Sequence, residues 1–285
     1  MSALIRIVWV VGLTLAVASP LSQARAQVDQ HALARNLLGE DGDAALAAMH
    51  EAAMTLKAPE MGPELRAALI TVLERQNKTF LTYKRMMASG VVDGIEDPTE
   101  FPPEMQEFWG EGYFFLIETV ISLRDPLAIP ALVGAVGNAN VVHLALAEFG
   151  ENAAPALLSI AEGGAEEESQ ATMAIRALTL IVKDPKAQPI SQNILERTRR
   201  LAREQLTTQT QYPSMIRSFS NLRAMRVEAA ISLALRLGDP SLREVVLSLA
   251  RDPESVRRLG VRDAANMELI QRHAAEALAR PPRRR

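Results

Sequence analysis

Residues 123–161, LRDPLAIPALVGAVGNANVVHLALAEFGENAAPALLSIA, set the strongest limit on how this chain can fold. Apolar side chains recur there three times at helical spacing: Ile129, Leu132, Val133 and Val136; Val142, Ala145, Leu146 and Phe149; Ala154, Leu157, Leu158 and Ala161. Positions i, i+3, i+4 and i+7 share one face of a helix, so each set is one buried stripe. Gly137-Asn138 and Gly150-Glu151-Asn152 separate the stripes into three short helices, since these residues favour turns and helix ends. Asp125-Pro126 is a start signal: the carboxylate can accept from exposed first-turn amides, and proline lacks only an N–H that the helix would not use there. His143 and Glu148 are the only polar residues between Val141 and Phe149, which predicts a middle helix covered on nearly every side. One helix pair cannot supply that cover. Pairs stacked on both sides can, and the predicted fold class is all-α, an α-solenoid of stacked antiparallel helix pairs.

The rest of the chain reads in the same way. Residues 27–38 and 43–56 form an αα-hairpin joined at Gly39-Glu40-Asp41-Gly42. A long helix over 64–87 follows, with Leu65, Leu69, Val72, Leu73 and Gln76 on one side. Beyond the central stretch, the pattern predicts a helix over 166–182, an Arg-rich helix from Asp184-Pro185 to about residue 208, and a helix or helix pair over 215–237 after Tyr212-Pro213. Residues 237–260 close the series, with Leu242, Val245, Val246 and Leu249 in the familiar frame. No segment alternates as a strand would.

Residues 4–18 are apolar apart from Arg6, Pro20 follows, and Ala24-Arg25-Ala26 offers small residues where a signal peptidase reads. The expectation is a signal peptide over 1–26, cleaved before Gln27, with the mature chain periplasmic or secreted and without a stable membrane span. The alternative is an uncleaved leader tethering a membrane-bound adaptor, although the apolar run is short of the ~20 residues a comfortable span needs. The chain has no cysteine, which excludes disulfides, thiolate metal sites and cysteine nucleophiles. With 48% hydrophobic residues it can build a core without them.

The net charge of −3 conceals an asymmetry. Residues 27–185 hold 24 Asp and Glu against 10 Lys and Arg, and residues 186–285 hold 10 against 19. In an elongated stack that makes an acidic front and a basic rear, suited to end-to-end association or to steering an anionic partner to the rear; uneven solvated faces are the plainer explanation. The arginine clusters at Arg197, Arg199, Arg200 and Arg203 and at Arg251, Arg257, Arg258 and Arg262 read as solvated helix faces, and export argues against a nucleic-acid partner.

Chemistry-bearing patterns are sparse. His31, His50, His143 and His273 have no metal-ligand spacing, and His50-Glu51 lacks a second imidazole at Met54, so no metal or other cofactor is expected. Neither a nucleophile elbow nor a phosphate loop is present. The one departure from what stacked helices need is residues 91–118, an acidic aromatic insert with eight carboxylates and no Lys or Arg. Phe101, Phe108, Trp109, Tyr113, Phe114 and Phe115 make up half of the chain's aromatic residues. The favoured reading is a cap, with Phe108, Trp109, Phe114 and Phe115 plugging the end of the stack while the acids face water. The alternative is a ligand surface at Glu104, Glu107, Trp109, Glu111 and Tyr113, whose paired acids and stacking rings would suit a carboxylate-based enzyme acting on a glycan or peptide.

Asp125-Pro126-Leu127-Ala128-Ile129-Pro130-Ala131-Leu132, Gly150 to Leu157, and Leu237-Gly238-Asp239-Pro240 through Val256-Arg257-Arg258 together resemble HEAT-repeat proteins, and specifically the phycobilin-lyase HEAT-like units of this armadillo-type class. The resemblance covers about residues 119–280, with 27–90 an N-terminal helical region before the insert and 281–285 a basic tail. It implies a binding surface on a curved stack and not lyase activity. The expected function is an exported, non-enzymatic interaction scaffold for a protein or peptide partner, anionic if it meets the basic C-terminal half.

Overall fold

A computed structural model describes residues 28–90, 101–103, 107–163, 168–183, 190–209 and 217–279. The leader, Glu104, Asp184-Pro185, Tyr212-Pro213 and the basic tail lie outside them. The described residues are all-helical, with 13 α-helices and no strand. In chain order these are α1 (Gln30–Leu38), α2 (Gly42–Thr55), α3 (Pro63–Ser89), α4 (Glu111–Ser122), α5 (Ile129–Ala135), α6 (Val142–Glu148), α7 (Ala154–Ala161), α8 (Glu168–Lys183), α9 (Gln192–Thr207), α10 (Arg217–Leu237), α11 (Pro240–Arg251), α12 (Pro253–Arg258) and α13 (Ala264–Ala279). The three short helices expected between 123 and 161 are α5, α6 and α7. Residues 264–279 form a further helix, so the series does not close at 260.

Aspartates start many of these helices. Asp29, Asp41, Asp125, Asp239 and Asp252 each accept from amides two or three residues ahead, and in the last three a proline follows directly. The cap satisfies amides that have no intrahelical partner, and proline at the first helical position presets its φ. Gly137, at φ +90°, ends the α5 turn; a Cβ there would stand 2.9 Å from the Gln170 backbone, so the turn can lie against the start of α8 only with glycine.

Helix neighbours fall into two successions. α3, α5, α7, α9 and α11 each pack on the next, and so do α2, α4, α6, α8, α10 and α13. Cross-links join α3 to α4, α5 to α6, α7 to α8, α9 to α10 and α11 to α13. The core between them is one continuous cluster, from Leu33 on α1 to Ala274 on α13. Every predicted stripe residue of α5, α6 and α7 is buried except Phe149, and all of the buried ones but Ala145 belong to this cluster, with Phe149 partly buried against it.

Two expectations are corrected. The middle helix is not covered all round: Val141 is 43% and Leu144 50% exposed. α4, α5 and α8 occupy three of its sides, and its fourth faces water. The basic rear is also less basic at its surface than the charge count suggests, because Arg223 and Arg226 are buried inside the core. From α10, Arg223 Nε donates to Leu259 O at 2.9 Å, and Arg226 Nη2 donates to Ala161 O at 2.8 Å while Nη1 lies 3.1 Å from Glu168 Oε2. Both accepting carbonyls stand at helix C-terminal ends, where a cation meets unsatisfied oxygens and the negative end of the helix dipole.

Candidate functional site

α3 builds the site. It runs 27 residues, about 40 Å, against the seven or eight of α5, α6 and α7, and residues Gln76 to Lys84 of its second half carry the contacts that follow. Gln76, in register with the apolar stripe of α3, is buried and uses both ends of its amide: Nε2 donates to Glu107 O at 3.1 Å, and Oε1 accepts from Trp109 N at 3.2 Å. Asn77 Nδ2 donates to Ala131 O at 2.8 Å. Asn77 Oδ1 accepts from the Tyr113 hydroxyl at 2.8 Å, which itself accepts from Asn138 Nδ2 at 2.9 Å. Two adjacent amides on one helix thus hold the segment leading into α4, the start of α5 and the turn before α6.

Around this polar centre lie the rings. Phe80 on α3 contacts Tyr83, Phe108, Tyr113 and Phe114 with centroids 5.0 to 6.3 Å apart. Lys84 Nζ sits 5.7 Å from the Phe80 centroid on the same helix, within cation–π range. On the opposite side of α4, Phe115 stacks on His50 of α2 at 5.1 Å. Burial raises the Tyr113 hydroxyl to about 12, with the Asn138 hydrogen bond opposing the rise. His143, half-buried with Nδ1 enclosed, is held below the usual imidazole range by burial, opposed by the Asn140 backbone and assisted by the Arg176 charge.

The five predicted contact residues are therefore not equivalent. Glu104 lies outside the described residues. Tyr113 is completely buried and hydrogen-bonded, a keystone rather than a surface ring. Trp109 is half-buried against the core, while Glu107 and Glu111 face solvent. The cap expectation is corrected in its location: α4, which carries Tyr113, Phe114 and Phe115, has neighbours on both sides, α2 and α6, and so does not sit at an end of the helix series. Of the four rings named for the cap, Phe108, Trp109 and Phe115 are half-buried against the core and Phe114 is exposed. Gln76, Asn77, Phe80, Tyr83 and Asn138 join the site in the fold without any motif that marks them as site residues. A signal for three of them exists, since Gln76, Phe80 and Tyr83 fall at i, i+4 and i+7 and prolong the Leu69–Leu73 stripe of α3.

α4 and α6 turn a mixed surface outward. Glu111, Phe114 and Glu118 follow one another at i, i+3 and i+7 on α4, all exposed, with Phe114 at 41%. Val141, the residue that caps α6, and Leu144 and Glu148 within it repeat that spacing. A separate cleft of about 1110 Å³ opens among Val28, His31, Met54, Glu60 and Glu64, with the His31 ring against the Glu64 carboxylate at its rim. Among the described residues no three His, Asp or Glu side chains gather as a metal-holding group. No described helix is long and apolar enough to cross a membrane. No family model, curated protein or solved structure matches this chain.

Proposed function

We propose that this chain is an exported, non-enzymatic scaffold whose helices stack as HEAT-like antiparallel pairs and whose surface binds a protein or peptide partner. The observation that carries the reading is the double succession of helix contacts, α3–α5–α7–α9–α11 beside α2–α4–α6–α8–α10–α13, the neighbour pattern that stacked pairs generate. Such an array lines up successive helices as one extended surface, and the exposed apolar residues of α4 and α6 supply anchors on it. Export to the periplasm or beyond rests on the apolar, small-residue pattern of residues 1–26.

The test uses the full chain expressed in a secreting bacterial host. Mass spectrometry of the product should find Gln27 as the first residue; a chain retaining the leader would replace the exported reading with a membrane-tethered one. The mature chain should then capture a partner from an exported fraction, and that partner, once purified, should rebind saturably. Turnover of a glycan or peptide substrate that Glu104→Gln and Glu107→Gln both abolish would overturn the scaffold in favour of a carboxylate enzyme.

A further inference from the structure

We infer that the joint outer face of α4 and α6 is a docking site for a cationic amphipathic segment of another protein, an inference that rests on the scaffold reading and specifies its partner. Phe114, Val141 and Leu144 are large apolar side chains left 41–50% exposed on two helices that pack against each other. Phe114 is held from beneath by Phe80 at 6.3 Å and Tyr113 at 5.4 Å, so it is a braced ring that loses little freedom on binding. Isolated exposed residues need no partner, but two stripes with the same spacing on adjoining helices make a patch.

The charge around the patch selects the occupant. Between residues 107 and 162 the only cation is Arg124, against Glu107, Glu111, Glu118, Asp125, Glu148, Glu151 and Glu162, and α3 adds Lys84, over the Phe80 ring beneath Phe114. Several of these acids are already engaged: Asp125 caps a helix, Glu148 lies 3.7 Å from Arg124, Glu151 accepts from Ser191 N, and Glu162 is paired with Arg197. Glu107, Glu111 and Glu118 have no ion-pair partner among the described residues, and two of them flank Phe114 on its own helix face. On the far side, Arg176 of α8 ends the acidic run. Apolar anchors set among uncompensated carboxylates fit a segment whose Leu- or Phe-like side chains alternate with Lys or Arg at helical spacing, and they repel an acidic one.

The probe is a fluorescent Leu/Lys amphipathic helical peptide, with a Leu/Glu peptide of the same length as its counterpart, titrated with the mature full-length chain. Saturable binding of the Leu/Lys peptide and none of the Leu/Glu peptide is expected, weakening about tenfold or more as salt rises from about 0.05 to about 0.5 M. Phe114→Ser and Leu144→Ser should each weaken it about tenfold, while Leu269→Ser, an equally exposed apolar position on α13, leaves it unchanged. Glu111→Gln with Glu118→Gln, which changes no buried group, should weaken binding and flatten its salt dependence even if a serine variant fails to fold. Equal binding of the Leu/Glu peptide, or indifference to the α4 and α6 variants, would overturn the inference. So would sedimentation showing that the chain self-associates through this face, with Phe114→Ser dispersing the assembly. If a captured partner rebinds the Phe114→Ser, Leu144→Ser chain undiminished, the scaffold survives and this site falls; if the peptide binds here but no natural partner rebinds, the reverse holds.

Discussion

α5 to α7 and α10 belong to the same core yet are held in it by opposite chemistry. In α5, α6 and α7 the buried side chains are Ile, Leu, Val and Ala throughout, and their contacts are non-directional. α10 buries Val227, Ile231 and Leu233 as well, but it also drives Arg223 and Arg226 inward, 3% and 4% exposed. The guanidinium of Arg226 ties the end of α7 to the start of α8 through Ala161 O and Glu168. The guanidinium of Arg223 reaches Leu259 O beyond α12 and the Gln205 side chain on α9. Apolar stripes bury a helix and leave its neighbours free to slide. Buried arginines fix which helix ends meet, at the cost of desolvating a charge.

The sharpest way to break this contrast is to remove one half of the buried pair. Arg226→Ala leaves Glu168, whose side chain is 1% exposed, without its cation and strips a donor from Ala161 O. The expected loss is about 4 kcal/mol, read as a fall in the urea midpoint by circular dichroism. Because an isosteric apolar pair avoids the desolvation of both ions, Arg226→Met with Glu168→Met should recover most of that loss. Failure of the double variant to recover would mean that the Ala161 carbonyl, not the charge pair, carries the effect. Leu157→Ala on α7 is the matched apolar change. It should cost about 3 kcal/mol by lost transfer and cavity terms, with no double substitution of this kind able to rescue it.

Tyr113 lies between these extremes, a buried ring with one polar tip. Tyr113→Phe keeps the ring contacts but leaves Asn77 Oδ1 and Asn138 Nδ2 without a partner, a loss of about 1 to 2 kcal/mol. The pH dependence has a definite sign. Since burial raises the hydroxyl from 10.0 to about 12, the unfolded chain releases this proton first, so its stabilisation is complete below 10 and disappears as pH climbs towards 12. Tyr113→Phe should remove that alkaline decline in the unfolding midpoint; an unchanged decline would assign it to other groups.

The same contrast explains what could be read in advance. The stripes of α5 to α7 were legible because the information is local: four side chains within two turns decide which face is buried. Gln76 was legible by the same rule, as a polar residue standing in an apolar register. The arginine links were not, because the acceptors of Arg223 and Arg226 stand 36 and 65 positions away. Nothing near Arg226 in the chain distinguishes it from Arg200, which is exposed. The keystone at Tyr113 was hidden for the same reason: Asn77 is 36 and Asn138 is 25 positions distant. Exposure of Leu144 was hidden by a different cause. Periodicity shows how much of a helix is apolar, whereas the number of neighbours decides how much of that is covered, and α6 has three.

The smallest effect tests what the two regions share. Asp125 opens the apolar region and Asp239 opens α11, which packs on α10, each followed by proline and each accepting from the amide two residues ahead, at 2.9 and 2.8 Å. If the Asp-Pro start acts locally, its loss should not depend on whether the core behind it is apolar or holds buried arginines. Asp125→Ala should cost about 1 kcal/mol, and Asp239→Ala a similar amount, by the same urea titration. Acid adds an independent check for Asp239, whose carboxyl is held below the ordinary value of 3.8, first by the Ser241 hydroxyl, against desolvation, and further by backbone amides and the Arg203 charge. A depressed carboxylate stabilises the fold fully above its unfolded value and loses that contribution as pH falls through its folded one, so the parent should lose stability below about pH 4. Asp239→Asn keeps an acceptor for the cap but cannot titrate, and it should shave only the acid end of that decline. A larger loss at Asp239 than at Asp125 at neutral pH would show that the cap is coupled to the arginine-bearing core behind it, making helix starts in the rear of this chain part of the same directional network as Arg223 and Arg226.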